Sequence, residues 1–218
     1  MIALAASGLE EGVWLRAECQ TGGRGRLGRA WVSPPGNLYA STLVRTRPSD
    51  PPAPTLALVA AVALEETVSV YVPGMAILKW PNDLLIDGAK LSGILLERAV
   101  DAVAIGIGVN LAHHPTDTDR RATSLAVHDV AIAPEDFLET LAEAFARWVE
   151  CWRGQGIDMI RRRWVTKAHP TGTPLNVRLP DGTAFDGLFD GLDPEGALIL
   201  RLADGTRRVI HAGDVFLL

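Results

Sequence analysis

The chain has 218 residues, enough for one sizeable core or for a large domain with a small companion. With 48% apolar and 22% charged residues it has the composition of an ordinary soluble globular protein. A net charge of −5 supplies no overall basic field, which argues against nucleic acid or an anionic membrane as a main partner. The two cysteines, Cys19 and Cys151, show no metal-ligand spacing and read as free thiols of a reducing compartment. The first residues lack the basic start of a secretory signal. The longest apolar run, Pro54 to Leu64, is too short to span a bilayer before it meets Glu65 and Glu66. These features point to the cytoplasm.

In chain order, residues 1–8 read as the tail of a helix that stops at Gly8. Alternation over 13–19 predicts a strand, a Gly/Arg-rich loop covers 20–30, and a second strand covers 37–45. Leu56, Val59, Ala60, Ala63, Leu64 and Thr67 recur at helical spacing, which predicts a core-facing helix over 54–70. A β-rich block follows, with strands at 76–80, 84–86, 89–97 and 102–110. Asp87-Gly88 marks a tight hairpin, because such a turn needs positive φ. Pro134, with Glu135 and Asp136 in the first turn, opens a helix to about Arg153. Phe137, Leu138, Leu141, Phe145, Trp148, Val149 and Trp152 fall on one face of it. A second helix, 157–167, follows the Gly154–Gly156 break. Beyond His169-Pro170-Thr171-Gly172, short apolar runs alternate with turns at 180–182, 193–196 and 203–205, the texture of a small antiparallel barrel. The expected architecture is α+β: a mixed-sheet domain over 1–170 and a small β-barrel over 171–218.

The loop Gly23-Arg24-Gly25-Arg26-Leu27-Gly28 fits the spacing of a dinucleotide-binding turn, but no helix can open into Pro34-Pro35. A phosphate-binding GxxxxGK[ST] segment is also missing from the sequence. The loop retains three arginines, Arg24, Arg26 and Arg29, among glycines that let backbone approach a ligand. Guanidinium groups bind phosphate or carboxylate through forked hydrogen bonds. Lys79 and Lys90 flank the Asp87-Gly88 hairpin and can point into one pocket, and Asn110 closes the small-residue strand end Gly106-Ile107-Gly108-Val109. Taken singly, each feature has a plain structural account: a solvated basic turn, Lys90 on an exposed hairpin face, Trp80 in the core, Asn110 in a turn.

Together and in this order, GRGRLGR (23–29), Trp31, Ser33-Pro34, Asn37-Leu38-Tyr39, KWPND (79–83), KLSGILLE (90–97) and GIGVN (106–110) resemble the biotin–protein ligase family. GALILRLADG (196–205) is similar to the family's small SH3-like domain. The resemblance implies a class II synthetase-like, biotin–lipoate ligase layout and a biotin–[acetyl-CoA-carboxylase] ligase activity. Biotin and ATP would give biotinyl-5'-AMP, and biotin would pass to a lysine of a biotin carboxyl carrier domain. It implies that Lys90 contacts the biotin carboxylate and adenylate phosphate, with Lys79 and Arg29 assisting at the phosphates. Arg24, Gly25 and Arg26 would close over biotin and the adenylate. Gln20, Trp31 and the backbones of Gly93 and Leu95 would border biotin, and Asn110 would meet adenine. Mg²⁺ is expected with ATP, with Asp83 and Asn82 as candidates for metal or hairpin support.

Two departures from the family shape further expectations. Nothing before the catalytic segment matches the family's helix-turn-helix, so no repressor role and no nucleic-acid partner are expected. The Ser-Thr-Asn strand end that borders biotin in the family would fall ahead of Met1, so the first strand reads as missing. A monomer or a homodimer suits the sequence equally. His113, His114, Asp117 and Asp119 suggest a solvated loop more than a metal cluster. Arg161-Arg162-Arg163 reads as a solvated helix face, with docking of an acidic carrier as the alternative. Competing functions are a lipoate or octanoate ligase and a catalytically weak biotin-binding protein.

Overall fold

The computed structural model describes residues 1–118 and 120–218. A short helix α1 (Ile2–Ala6) precedes strand β1 (Trp14–Ala17) and strand β2 (Leu38–Arg45). Helix α2 (Leu56–Tyr71) leads into strands β3 (Ala76–Lys79), β4 (Asp83–Ile86), β5 (Ala89–Ala99) and β6 (Ala102–Val109). Helices α3 (Pro134–Gln155) and α4 (Ile157–Thr166) follow. Strands β7 (Pro174–Arg178), β8 (Ala184–Leu192), β9 (Leu198–Arg201), β10 (Arg207–Ile210) and β11 (Asp214–Leu217) complete the chain. Every element expected from periodicity is present, with ends shifted by a few residues.

The first six strands form one sheet in the order β1-β2-β6-β5-β4-β3. All five strand pairs are antiparallel; among the described residues the parallel component of the expected mixed sheet is confined to two isolated bridges, Leu78 with Ala168 and Lys90 with Ala122. The β4–β5 turn places Asp87 at φ 50° and Gly88 at φ 73°, the two positive values such a tight hairpin requires. Side chains on a strand alternate between faces, and β6 shows why that matters. Val103, Ile105, Ile107 and Val109 are buried with α2 in the main core, whereas Ala104, Gly106 and Gly108 face the opposite side. A strand with bulk on one face and almost none on the other makes a floor with room above it.

Helix α2 is apolar around most of its circumference. By length and composition Ala53–Tyr71 is apolar enough to cross a membrane, which the shorter run counted from the sequence did not suggest. Here it is the central core helix: Leu56, Val59, Val62, Leu64 and Val68 have no exposed surface, and α3 and α4 cover it. The α3 stripe is buried through Phe137, Leu141, Phe145, Val149 and Trp152, with Leu138 and Trp148 half-buried at its margin. The Trp152 indole donates to Thr55 Oγ1 at 2.8 Å, so its one polar atom is satisfied inside the core.

The last five strands form an antiparallel sheet in the order β10-β9-β8-β7-β11. Its seam with the large sheet is built from α4 and the β3–β4 connection. Trp164 meets Phe189 with ring centroids 6.4 Å apart, Trp80 Nε1 donates to Gly196 O at 3.2 Å, and Leu78 N donates to Lys167 O at 2.8 Å. The Arg161–Arg163 run is therefore not the solvated face expected from sequence. Arg161 donates to Leu192 O at 3.1 Å, and Arg163 and Lys167 each lie 3.0 Å from the carboxylate of Glu65, a residue only 1% exposed on α2. Arg162 alone of the three is exposed. A carboxylate inside the core has to be paired, and that demand turns Arg163 and Lys167 inward, while Arg161 is held by the Leu192 carbonyl and Asp158. Cys19 is exposed and Cys151 half-buried, and both are free.

Candidate active site

A cavity of about 930 Å³ opens on the bare face of the large sheet, and the small sheet closes one side of it. Its floor is β5 and β6, at Gly93, Leu95, Gly106 and Gly108. The indole of Trp31 lies across this floor. A Cβ on Gly108 would come within 2.8 Å of the ring, and one on Gly93 within 3.3 Å, so both glycines are needed for the close approach. Trp31 Nε1 is buried against the Gly108 side of the floor and has no hydrogen-bond partner. At the same end, Gln20 Oε1 accepts from Ser33 Oγ at 2.9 Å.

The charged wall is made by the hairpin. Lys90 Nζ stands 2.6 Å from Asp83 Oδ1 and 5.5 Å from the centre of the Trp31 ring, and Lys79 Nζ stands 3.8 Å from Asp83 Oδ2. The two lysines do converge, through a carboxylate buried between them. Burial pushes the Lys79 ammonium below its usual range; Asp83 opposes that shift, while Arg120 and Lys90 add to it. The backbone of Lys90 is clamped: its N–H donates to Arg121 O at 2.8 Å and its carbonyl accepts from Thr123 N at 3.0 Å. Asn110 binds the same segment after β6, with Nδ2 donating to Thr123 O at 3.0 Å and its backbone carbonyl accepting from Leu125 N at 3.0 Å.

The Gly/Arg loop arches over the cavity as a small hairpin, with Gly25 N donating to Arg29 O at 2.8 Å and Trp31 N to Gly23 O at 2.9 Å. Leu27 sits at its tip with φ 57° and is 72% exposed. Arg26 turns inward, Nη1 lying 3.4 Å from both Asn82 Oδ1 and Gly213 O; Arg24 is exposed on the rim. Burial lowers the affinity of Arg26 for its proton, and Asp214 and Asp83 act against that.

Residues 5–110 match the Biotin/lipoate A/B protein ligase family, and residues 172–218 match the Biotin protein ligase C terminal domain. A biotin–[acetyl-CoA-carboxylase] ligase of Paracoccus denitrificans is 41% identical over 225 residues, covering 97% of this chain and 92% of that protein. The chain belongs to the biotin–protein ligase family. Its fold superposes on the biotin protein ligase of Aquifex aeolicus in complex with biotin and ATP, with a TM-score of 0.87 at 24% identity over 97% of this chain and 91% of that one. The biotin protein ligase of Leishmania major in complex with biotinyl-5-AMP superposes with a TM-score of 0.67 at 26% identity, over 96% and 92% of the two chains.

Every residue that the family resemblance singled out lines this one cavity: Gln20, Arg24, Gly25, Arg26, Arg29 and Trp31 from the loop side, Lys79, Asp83, Lys90, Gly93, Leu95 and Asn110 from the sheet. Asp83 is the exception in kind. With one oxygen on each ammonium group it has the surroundings of an ion-pair partner, not of a metal ligand. No group of three His, Cys, Asp or Glu side chains suited to a metal occurs among the described residues. His114 Nδ1 lies 3.2 Å from Ser124 Oγ, and Asp119 lies outside the described residues.

Sequence reasoning missed two groups. One is Asn37, whose buried Oδ1 accepts the N–H groups of Leu111, Ala112 and His113, each at 2.9 Å, while Nδ2 donates to His113 O at 2.8 Å. It belonged to a quoted motif, yet no role had been drawn from it. The other is a set from beyond β6: Arg120, and from the small sheet Asp214, Phe216 and Arg178, all at the cavity wall. No local pattern marks them, because the barrel texture describes only how that domain folds.

Proposed function

We propose that this chain is an ATP-dependent biotin–protein ligase, and that the observation carrying this reading is the Lys79–Asp83–Lys90 cluster beside a glycine floor capped by Trp31. Family membership supplies the reaction. The biotin carboxylate attacks the α-phosphorus of ATP, pyrophosphate leaves, and a mixed anhydride, biotinyl-5'-AMP, is formed. An acceptor lysine amine then attacks the acyl carbon, AMP leaves, and the amine loses a proton as the amide forms. The two reactants of the first step are both anions, so the site must offset their repulsion and the charge that grows on phosphate.

Lys90 is assigned to that task, with its ammonium aimed by Asp83 and its backbone clamped on both sides. Lys79, Arg26 and Arg29 add positive charge at the phosphates, and Arg24 and Gly25 complete the loop. Gln20, Trp31, Gly93 and Leu95 border biotin, and Asn110 stands toward adenine. The second step asks for position and dryness rather than for a protein nucleophile, which the arched loop can provide. Mg²⁺ would enter on the ATP phosphates. Asp83 is held by two lysines and does not fit as its protein ligand, so no step is assigned to the metal.

We divide the chain into a catalytic domain, 1–170, and a small C-terminal domain, 171–218. The acceptor is a lysine of a biotin carboxyl carrier domain, and the compartment is the cytoplasm. Biotin is preferred over lipoate because the Paracoccus denitrificans relative, 41% identical, is a biotin ligase. Incubation with ATP, biotin and an apo carrier domain should yield biotinylated carrier. Octanoylation or lipoylation of a lipoyl domain in its place, or no transfer at all, would overturn the assignment.

A further inference from the structure

The small domain enters the cavity at the turn before β11. Gly213 O accepts from Arg26, and the next residue, Asp214, faces two more guanidinium groups. Arg29 forks onto the carboxylate, Nη1 lying 3.4 Å from Oδ1 and Nη2 bonding Oδ2, while Arg120 Nη2 approaches Oδ2 at 3.5 Å. The Asp214 side chain is 16% exposed and that of Arg29 51%, so the carboxylate is the fixed member of the pair. On the same strand the Phe216 ring lies under the Arg120 guanidinium, 4.6 Å from its centre.

We propose that Asp214 is a positioning residue: it latches the Arg24–Arg29 loop to the small domain, so that the loop stays shut over the acyl-adenylate until the acceptor lysine arrives. This rests on the ligase reading above. Three guanidinium groups gathered on one side of a cavity repel one another, and a single carboxylate relieves that repulsion. Three cations against one anion still leave an excess of positive charge facing the adenylate phosphate. Asp214 therefore anchors the loop without cancelling the field that the chemistry needs. Forked arginine–carboxylate pairs are also directional, which suits a latch that has to set one loop position. The large domain carries the reactive groups, and the small domain would govern how long the intermediate is kept.

The test loads the full-length enzyme with labelled biotin and ATP. It then measures loss of labelled adenylate after rapid gel filtration and labelling of a bystander amine. Asp214→Asn should release adenylate about tenfold faster than wild type, as expected for a loop whose closure is weakened, and this gain in release should exceed any loss of biotin-dependent ATP–pyrophosphate exchange. Asp214→Glu should restore most of the retention. Asp190→Asn is the control, since Asp190 is ion-paired with Arg201 and Arg207 away from the cavity. If Asp214→Asn does not fold, Asp214→Ser takes its place. Release within about twofold of wild type, or equal leakage from Asp190→Asn, would overturn the latch. Absence of exchange in the wild-type enzyme would instead defeat the ligase reading.

Discussion

Lys90 and Gly108 make opposite kinds of contribution to the cavity, one by what its side chain supplies and one by what it lacks. Lys90→Ala removes an ammonium from a site where negative charge grows on phosphate. Adenylation should fall roughly 10²–10³-fold, the cost typical of deleting one transition-state donor. Biotin-dependent ATP–pyrophosphate exchange reads this directly, and activity within about threefold of wild type would remove Lys90 from the mechanism. Gly108→Ala adds one methyl where the Trp31 ring lies 2.8 Å from the new Cβ, so the indole has to lift. Overpacking of this kind costs about 1–3 kcal/mol, and here it falls on the ligand space. Biotin affinity by calorimetry should drop about fivefold or more while the melting temperature stays close to wild type. Unchanged affinity would mean that Trp31 does not shape the slot. Both residues stood in motifs that could be read from the sequence. The reason for Gly108, an indole arriving from a loop far away in the chain, could not.

At the level of elements, what holds the site together is a set of clamps between segments distant in sequence. Asn37, at the entry to β2, gathers three N–H groups and one carbonyl of the segment after β6, and that segment in turn clamps the Lys90 backbone. Asn37→Ala would leave several buried backbone groups without a partner. At about 1–3 kcal/mol per unsatisfied group the variant should lose on the order of 2–3 kcal/mol of stability. Hydrogen exchange should quicken over 111–118 and 120–125, and pyrophosphate exchange should fall with it because Lys90 loses its brace. Protection equal to wild type there would refute the clamp. Strands, helices and the β4–β5 turn were legible because hydrophobic period and turn chemistry are local signals. Side-chain-to-backbone clamps have no period. The inward turn of Arg161 and Arg163 was hidden for the same reason, since it depends on the Leu192 carbonyl of the small sheet for one and on Glu65 of α2 for the other.

Over the whole molecule, the same logic of paired and unpaired charge sets how the fold responds to acid. Burial alone would raise the Glu11 carboxyl, but hydrogen bonds from Arg153 and from the Arg45 N–H, with the nearby positive charge, hold it below the usual carboxylate range. Burial would likewise raise Asp214, and Arg29, Arg120 and Arg26 outweigh it. His169, at the junction of the two domains, is pushed down by burial and by Lys79, and its Nε2 has no partner. For all three groups the unfolded chain takes up protons more readily than the folded one, so stability rises with pH. The contributions of Glu11 and Asp214 are complete above the ordinary carboxylate range and fade as pH falls through their lowered folded values. The Glu11 and Asp214 side chains keep 29% and 16% of their surface exposed, so solvent takes back part of that share. His169 acts earlier, because below about pH 6.5 an unfolded imidazole gains a proton that the folded site resists. Denaturant titrations should therefore show two acid-side losses, the first beginning near the ordinary histidine range and the second below about pH 5. His169→Gln should flatten the first and leave the second, while Glu11→Gln should reduce the second only. Equal stability slopes for wild type and His169→Gln between about pH 5.5 and 8 would show that the junction histidine titrates as it does in water.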